Sequence, residues 1–241
     1  MAIFEHEYRV GLSDVGQSNK ITNKATLRIL ENIAGMHSEA VGCGINSMDK
    51  TGISWIILGW KIKIISRPIY DEVLEVRTWA RSFNRAISYR DYEVYDKSGN
   101  LMIIATSKWA VIDINSGRLA EITPEIINAY KCEEKHALED DDDMKMKEPD
   151  EKEKTLEYTI MRRDIDINKH VHNLYYLDYA NEALPEEIYK DAKFDNIEIM
   201  YKKQIKLGDE INCYYSKEED KNIITIKSKD DKILHAIVEL S

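Results

Sequence analysis

Between Asp164 and Asn173 the chain reads DIDINKHVHN, which repeats carboxylate, amide and imidazole side chains on every second position. In an extended backbone successive side chains face opposite ways. Asp164, Asp166, Asn168, His170 and His172 would then line one side, with Ile165, Ile167 and Val171 packing on the other. From Asn173 the period becomes helical, with Leu174, Leu177, Ala180 and Leu184 recurring before Pro185. The pattern predicts an extended arm running into a helix N-terminus, where unpaired N–H groups and the helix dipole favour developing negative charge. Such a site suits acyl transfer, which needs a base to take a proton and donors to hold an oxyanion.

Each residue alone has a plainer account, because Asp and Asn ahead of a helix cap and turn the chain. Their convergence on one face is what points to a site. Asp164, Asp166 and Asn168 also imitate the opening of a calcium loop. That loop needs Gly and Glu where this chain has Lys169 and Tyr175. His170-x-His172 has no neighbouring Cys or third His to complete a transition-metal set. No metal and no cofactor is assigned.

The rest of the chain must position that arm. Its 241 residues are 43% hydrophobic with four Pro and ten Gly, an ordinary globular composition long enough to bury a substantial core. A formal net charge of −10 argues against nucleic-acid binding. The first residues lack a basic region followed by an apolar run, and no stretch is long and apolar enough to insert into a membrane. Cys43, Cys132 and Cys213 are odd in number and widely spaced, as expected of reduced thiols in the cytoplasm.

In chain order, Tyr8 to Val10 ends a first strand, and a helix follows from Asn23, read as its N-cap. Leu30, Ile33, Ala34, His37, Ala40 and Val41 share its buried face, with His37 read as a satisfied core residue. Four strands are expected at Ile53–Ile65, Glu72–Ser82, Ala86–Tyr95 and Leu101–Ile112, then a short helix from Thr123-Pro124. From Glu139 to Lys154 nine acids stand against four bases, which predicts a solvated linker. Beyond it the order returns as strand, polar arm, helix and a meander from Asn196, Glu210, Asn222 and Lys232. The expected organisation is 1–122, 123–154 as short helix and linker, and 155–241. The fold class is α+β, with two antiparallel sheets each curled around one long helix and joined edge to edge. The loop before the first helix, SDVGQSNKITN, has no spaced Asp, Asn and His, so one active site per chain is expected.

The run D-I-D-I-N-K-H-V-H-N, the SWIILGWKIKIISRPIYDEVLEVRTWARSFNRAISYRDYEVYD stretch and SKWAVIDINSGRLAEITPEI together resemble the acyl-acyl-carrier-protein thioesterases of plants and bacteria. The resemblance covers nearly the whole chain apart from the acidic segment. It implies a tandem pair of hotdog domains and hydrolysis of fatty acyl-carrier-protein thioesters in fatty acid biosynthesis. It places the family's Asp, Asn and His on Asp166, Asn168 and His170, and its Glu–Cys pair on Gln204 and Ile205. Gln204 can orient water but is no carboxylate base, and Ile205 excludes a thiol nucleophile. The implied chemistry is water attack, with His170 or Asp166 as base, Asn168 and Gln204 holding water or carbonyl, and amides near His172 and Asn173 facing the oxyanion. The implied partner is acyl carrier protein, and a homodimer is left open. The first hotdog, freed of chemistry, is expected to house the acyl chain near Leu30, Ile33, Ala34 and His37. An acyl-CoA thioesterase and a non-catalytic acyl-binding hotdog protein are the alternatives. Arg162, Arg163, Lys202, Lys203 and Lys206 flank the arm in sequence, either as a docking patch for an acidic carrier or as ordinary solvating charge.

Overall fold

The computed structural model describes residues 2–139, 144–191 and 193–241. The chain divides into two compact units, Met1–Asp143 and Met144–Ser241. The first contains β1 (Ile3–Arg9), α1 (Asn23–Ala40), α2 (Met48–Thr51), β2 (Ile53–Ile64), β3 (Val73–Asn84), β4 (Ile87–Asp96), β5 (Leu101–Asp113) and α3 (Pro124–Tyr130). Its strands lie in the order β1-β3-β4-β5-β2, all neighbours antiparallel. Runs of Ile, Val, Thr, Tyr and Trp suit these half- or fully buried pleats. The Thr22 side chain caps α1 by accepting the Ala25 N–H at 3.1 Å. The cap is thus one residue earlier than expected, and Asn23 instead accepts from Arg67.

The centre of β4 is buried on both faces. Toward α1, Arg90 donates to His37 Nδ1 at 2.8 Å and to Thr78 Oγ1 at 3.2 Å. Phe4 stacks on the His37 ring and Tyr130 meets its edge, so this histidine is a bonded core residue, as expected. On the opposite face Asp91 is wholly buried and accepts from Thr106 Oγ1 and from the Ala137 amide, both at 2.9 Å. Burial raises the pKa of its carboxyl against the opposing pull of these donors and Arg81. Residues 131–139 cover that face: the Trp79 indole donates to Lys135 O, and the Lys135 ammonium reaches Glu93 at 2.7 Å.

The second unit contains β6 (Glu153–Thr159), α4 (Tyr175–Ala183), α5 (Glu186–Asp191), β7 (Asn196–Tyr201), β8 (Glu210–Glu218), β9 (Lys221–Ser228) and β10 (Leu234–Leu240). Its strands lie in the order β7-β10-β9-β8-β6, and α4 packs on β6, β8, β9 and β10. Each unit is therefore an antiparallel sheet on one helix, the hotdog arrangement. The second helix is shorter than its sequence suggests. It begins at Tyr175 rather than Asn173 and spans nine residues against eighteen in α1, with α5 starting anew just after Pro185.

Of the expected solvated linker, residues 140–143 lie outside the described residues. From 144 onward the segment packs on the second unit. Met144 and Pro149 are buried, the Met146 amide donates to Met200 Sδ, and Glu148 accepts from Lys227 at 2.9 Å. The apolar side chains of Met144 and Met146 alternate with Lys145 and Lys147, and this short period-two signal is hidden among the charges. Among the described residues no helix is long and apolar enough to cross a membrane.

Candidate active site

Asp164 closes a 3-10 turn (Arg162–Asp164) and is almost fully buried. It accepts from the Tyr158 hydroxyl at 3.0 Å and the Met161 amide at 2.8 Å. Beyond it the chain does not run extended. Ile165 bridges to Val171, the Asp166 amide donates to His170 O at 2.8 Å, and Lys169 adopts φ 63°. The arm is a tight hairpin braced by Asp166, whose Oδ1 accepts the amides of Asn168 at 2.8 Å and His170 at 3.3 Å. Asp side chains commonly bond the backbone two residues on, and that local bond reinforces the turn here. The turn gathers Asp166, Asn168 and His170 within one loop, with Asn168 Nδ2 lying 3.4 Å from Asp166 Oδ2.

The His170 ring is half-buried, and its Nδ1 is buried with no hydrogen-bond partner among the described residues. Such an atom is a costly feature unless something binds it. The ring is held by the backbone, through the His170–Lys206 bridge and the Val171 amide to Ile205 O at 2.9 Å. His172 has a distinct role: its Nδ1 accepts the Leu174 amide at 3.3 Å and its carbonyl accepts that of Tyr175 at 2.9 Å. The His172 amide, one of those expected to face an oxyanion, donates to Asp164 O at 2.8 Å and is already engaged.

The first unit repeats this backbone. Asp14 accepts from the Tyr8 hydroxyl and the Gly11 amide, each at 2.7 Å. Val15 bridges to Ile21, the Gly16 amide donates to Lys20 O, and Asn19 takes φ 57°. Gly16, Ser18 and Lys20 stand where the second arm has Asp166, Asn168 and His170. The buried aspartate at the base of the arm is therefore common to both halves, which marks Asp164 as structural. Only the second arm carries a carboxylate and an imidazole at these three positions.

Gln204 is exposed and makes no side-chain hydrogen bond among the described residues. Its matching residue in the first unit is Arg67, one before the Pro68 carbonyl that pairs with Ile21 as Ile205 pairs with Val171. Arg67 bonds Ile21 O and Asn23 Oδ1, each at 2.9 Å, so a side chain from this position is directed at the start of the helix. Ile205 is fully buried and anchors the segment. Sequence reasoning missed His235, which is buried and bonds Lys203 O through Nδ1 at 2.9 Å. Its carbonyl accepts the amides of Lys202 and Lys203, and burial lowers its pKa, favouring the neutral ring. Met102 fills the same role through its carbonyl in the first unit, so only register between the halves could have revealed His235. Cys213 offers no nucleophile, since burial pushes its thiol up to about 12.

Two family models match the chain in order, the acyl-ACP thioesterase N-terminal domain over residues 1–130 and the C-terminal domain over 147–237. The chain is 24% identical to oleoyl-acyl carrier protein thioesterase 2, chloroplastic, of Arabidopsis thaliana, over 92% of this chain and 65% of that protein. It is 22% identical to palmitoyl-acyl carrier protein thioesterase, chloroplastic, of Cuphea hookeriana, over 84% of this chain and 52% of that one. It thus spans under two thirds of the length of these curated relatives. An acyl-ACP thioesterase from Bacteroides thetaiotaomicron superposes with a TM-score of 0.87 at 23% identity, covering 99% of this chain and 96% of that one. The 12:0-ACP thioesterase from Umbellularia californica gives 0.85 at 18%, with the same coverage. The fold agrees across these structures, both halves match their models, and the chain belongs to the acyl-ACP thioesterase family.

Proposed function

We propose that the protein hydrolyses the thioester joining a fatty acyl chain to acyl carrier protein, releasing the free fatty acid. The observation that carries this reading is the His170 Nδ1, buried and without a partner among the described residues, in a loop with Asp166 and Asn168 that only one of the two arms carries. Imidazole exchanges a proton near neutral pH. In this reading His170 takes a proton from water as the water oxygen attacks the thioester carbonyl carbon. Asn168 and Gln204 hold the water or the carbonyl, and Asp166 keeps the loop that presents both Asn168 and His170. The tetrahedral oxyanion collapses, the carbon–sulfur bond breaks, and the imidazolium returns its proton to the departing thiolate. Acid and thiol leave, and the enzyme is restored with no covalent intermediate.

The acyl chain is assigned to the first unit, which carries a cleft of about 260 Å³ beside α1, lined by apolar Ile29, Ile33, Met36 and Val76 together with His6, Tyr8 and Asn32. A reducing compartment such as the cytoplasm suits the three free thiols. Release of free thiol across acyl-carrier-protein and acyl-CoA panels of graded chain length tests the activity. Turnover on the carrier-protein series is expected, and absence of thiol release from every substrate would overturn the reading. Gln204→Ala is expected to slow turnover about tenfold or more, and Gln204→Glu to retain or raise it. An unaltered rate in Gln204→Ala removes that residue from the site.

A further inference from the structure

Residues 202–206, between β7 and β8, belong to no strand, yet they carry Gln204 and pair with the His170 arm. Their other anchor is β10. The amides of Lys202 and Lys203 donate to His235 O at 2.8 and 3.2 Å, and His235 Nδ1 lies 2.9 Å from Lys203 O. A carbonyl oxygen only accepts, so Nδ1 carries the hydrogen and donates it. The peptide unit is planar, so a bond that fixes Lys203 O also fixes the Gln204 nitrogen and Cα in the same plane. Just beyond Gln204, Ile205 O accepts the Val171 amide of the arm at 2.9 Å. Gln204 thus stands between two held carbonyls, one gripped by His235 and the other by the arm.

The first unit makes the same backbone connection without an imidazole. There the amides of Ile65 and Ser66 go to Met102 O at 2.8 and 3.1 Å. A methionine side chain has no N–H, so it has nothing to donate to the Ser66 carbonyl. The ring is therefore an addition found only beside the arm that carries Asp166, Asn168 and His170. It is also a costly one, because a buried polar group is tolerated only when it is bonded. His235 is 4% exposed, in a strand that continues through Ala236, Ile237 and Val238. Burial lowers its pKa against the opposing pull of the Lys203 and Gln204 backbone, so the neutral ring donates without bringing a charge into the sheet.

We infer that His235 is the positioning residue for Gln204: its Nδ1–H holds the preceding carbonyl so that the Gln204 side chain is presented to the His170 arm. The inference rests on the hydrolytic reading above. His235→Met, which installs the first unit's side chain, tests it, with His235→Leu as a second variant lacking the donor. His235→Asn is the conservative change, since Asn has nearly the shape of Leu but keeps an N–H close to the Nδ1 position.

On one acyl-carrier-protein substrate, kcat should fall about tenfold in His235→Met and His235→Leu, with KM within about twofold of the parent. His235→Asn should keep kcat within about threefold of the parent. In a Gln204→Ala background His235→Met should cost no more than about twofold further, because the group it positions is gone. An equal loss in His235→Asn, or a full loss in the Gln204→Ala background, would make the ring mere packing and overturn the inference. An unaltered kcat in both variants lacking the donor would overturn it too. Amide exchange reads the segment without turnover. The Val171 amide should exchange about tenfold faster in His235→Leu and at the parent rate in His235→Asn, and equal rates in the two would overturn the inference. If the parent cleaves no thioester, the hydrolytic reading fails, while exchange still decides whether His235 holds residues 202–206.

Discussion

His170→Ala is expected to lower the rate of thioester hydrolysis by about 10²–10⁴-fold, the range for loss of a general base. Stability should change by less than about 1 kcal/mol, because no described group is left unpaired when this ring is removed. The hairpin is set by the Asp166 carboxylate and by backbone bonds to Ile205 and Lys206, none of which uses the imidazole. Purified variant compared with parent on one acyl-carrier-protein substrate, alongside thermal melts, provides the measurement. Turnover close to the parent value would remove His170 as the base.

The second large effect comes from the pair of buried aspartates. Replacing Asp164 by Ala strands the Tyr158 hydroxyl and the Met161 amide, and replacing Asp14 strands the Tyr8 hydroxyl and the Gly11 amide. Arg28, which also pairs with Asp14, would lose its partner too. Each substitution should destabilise its own unit by roughly 2–4 kcal/mol, given the cost of unsatisfied buried polar groups. Their consequences for activity should diverge. Asp164→Ala loosens the arm that holds His170, and a misplacement of about 1 Å at a reacting group can cost around 10²-fold. Asp14→Ala loosens an arm with Gly16, Ser18 and Lys20, so turnover per folded molecule should stay near the parent value. A melt for each variant plus active-fraction kinetics separates the two effects. Equal loss of turnover in both would mean that the first arm takes part in the chemistry.

Much of the fold was legible because the first meander obeys local rules. Its β-branched and aromatic runs became β2 to β5 within a residue or two of their expected ends, and the α1 stripe buried Leu30, Ile33, Ala34 and His37, while Ala40 is exposed and Val41 half-buried where the helix ends. Asp166, Asn168 and His170 were legible as a set, though the reason for their proximity was misread. Period-two spacing over so few residues fits a strand and a tight turn alike, and the turn recurs in the first unit with Gly16 in place of Asp166, so backbone bonds make it and the Asp166 bond to the Asn168 amide adds to it. The burial of Met144 and Pro149 was obscured because composition over a window hides two or three apolar contacts. His235 lay beyond sequence reasoning, since its role depends on which carbonyl of a distant segment it meets.

The cover over the outer face of the first sheet bears on how this chain can be taken apart. Glu133 N bonds Ala80 O, Trp79 Nε1 bonds Lys135 O, and Ala137 N bonds the Asp91 carboxylate. A fragment ending just after α3 would keep every strand and helix of the first unit yet strand the Trp79 indole and remove a donor from the wholly buried Asp91. A dissected first unit that is to fold by itself must therefore extend through Ala137, and a protease cutting between α3 and that residue would weaken the unit without touching any of its regular structure.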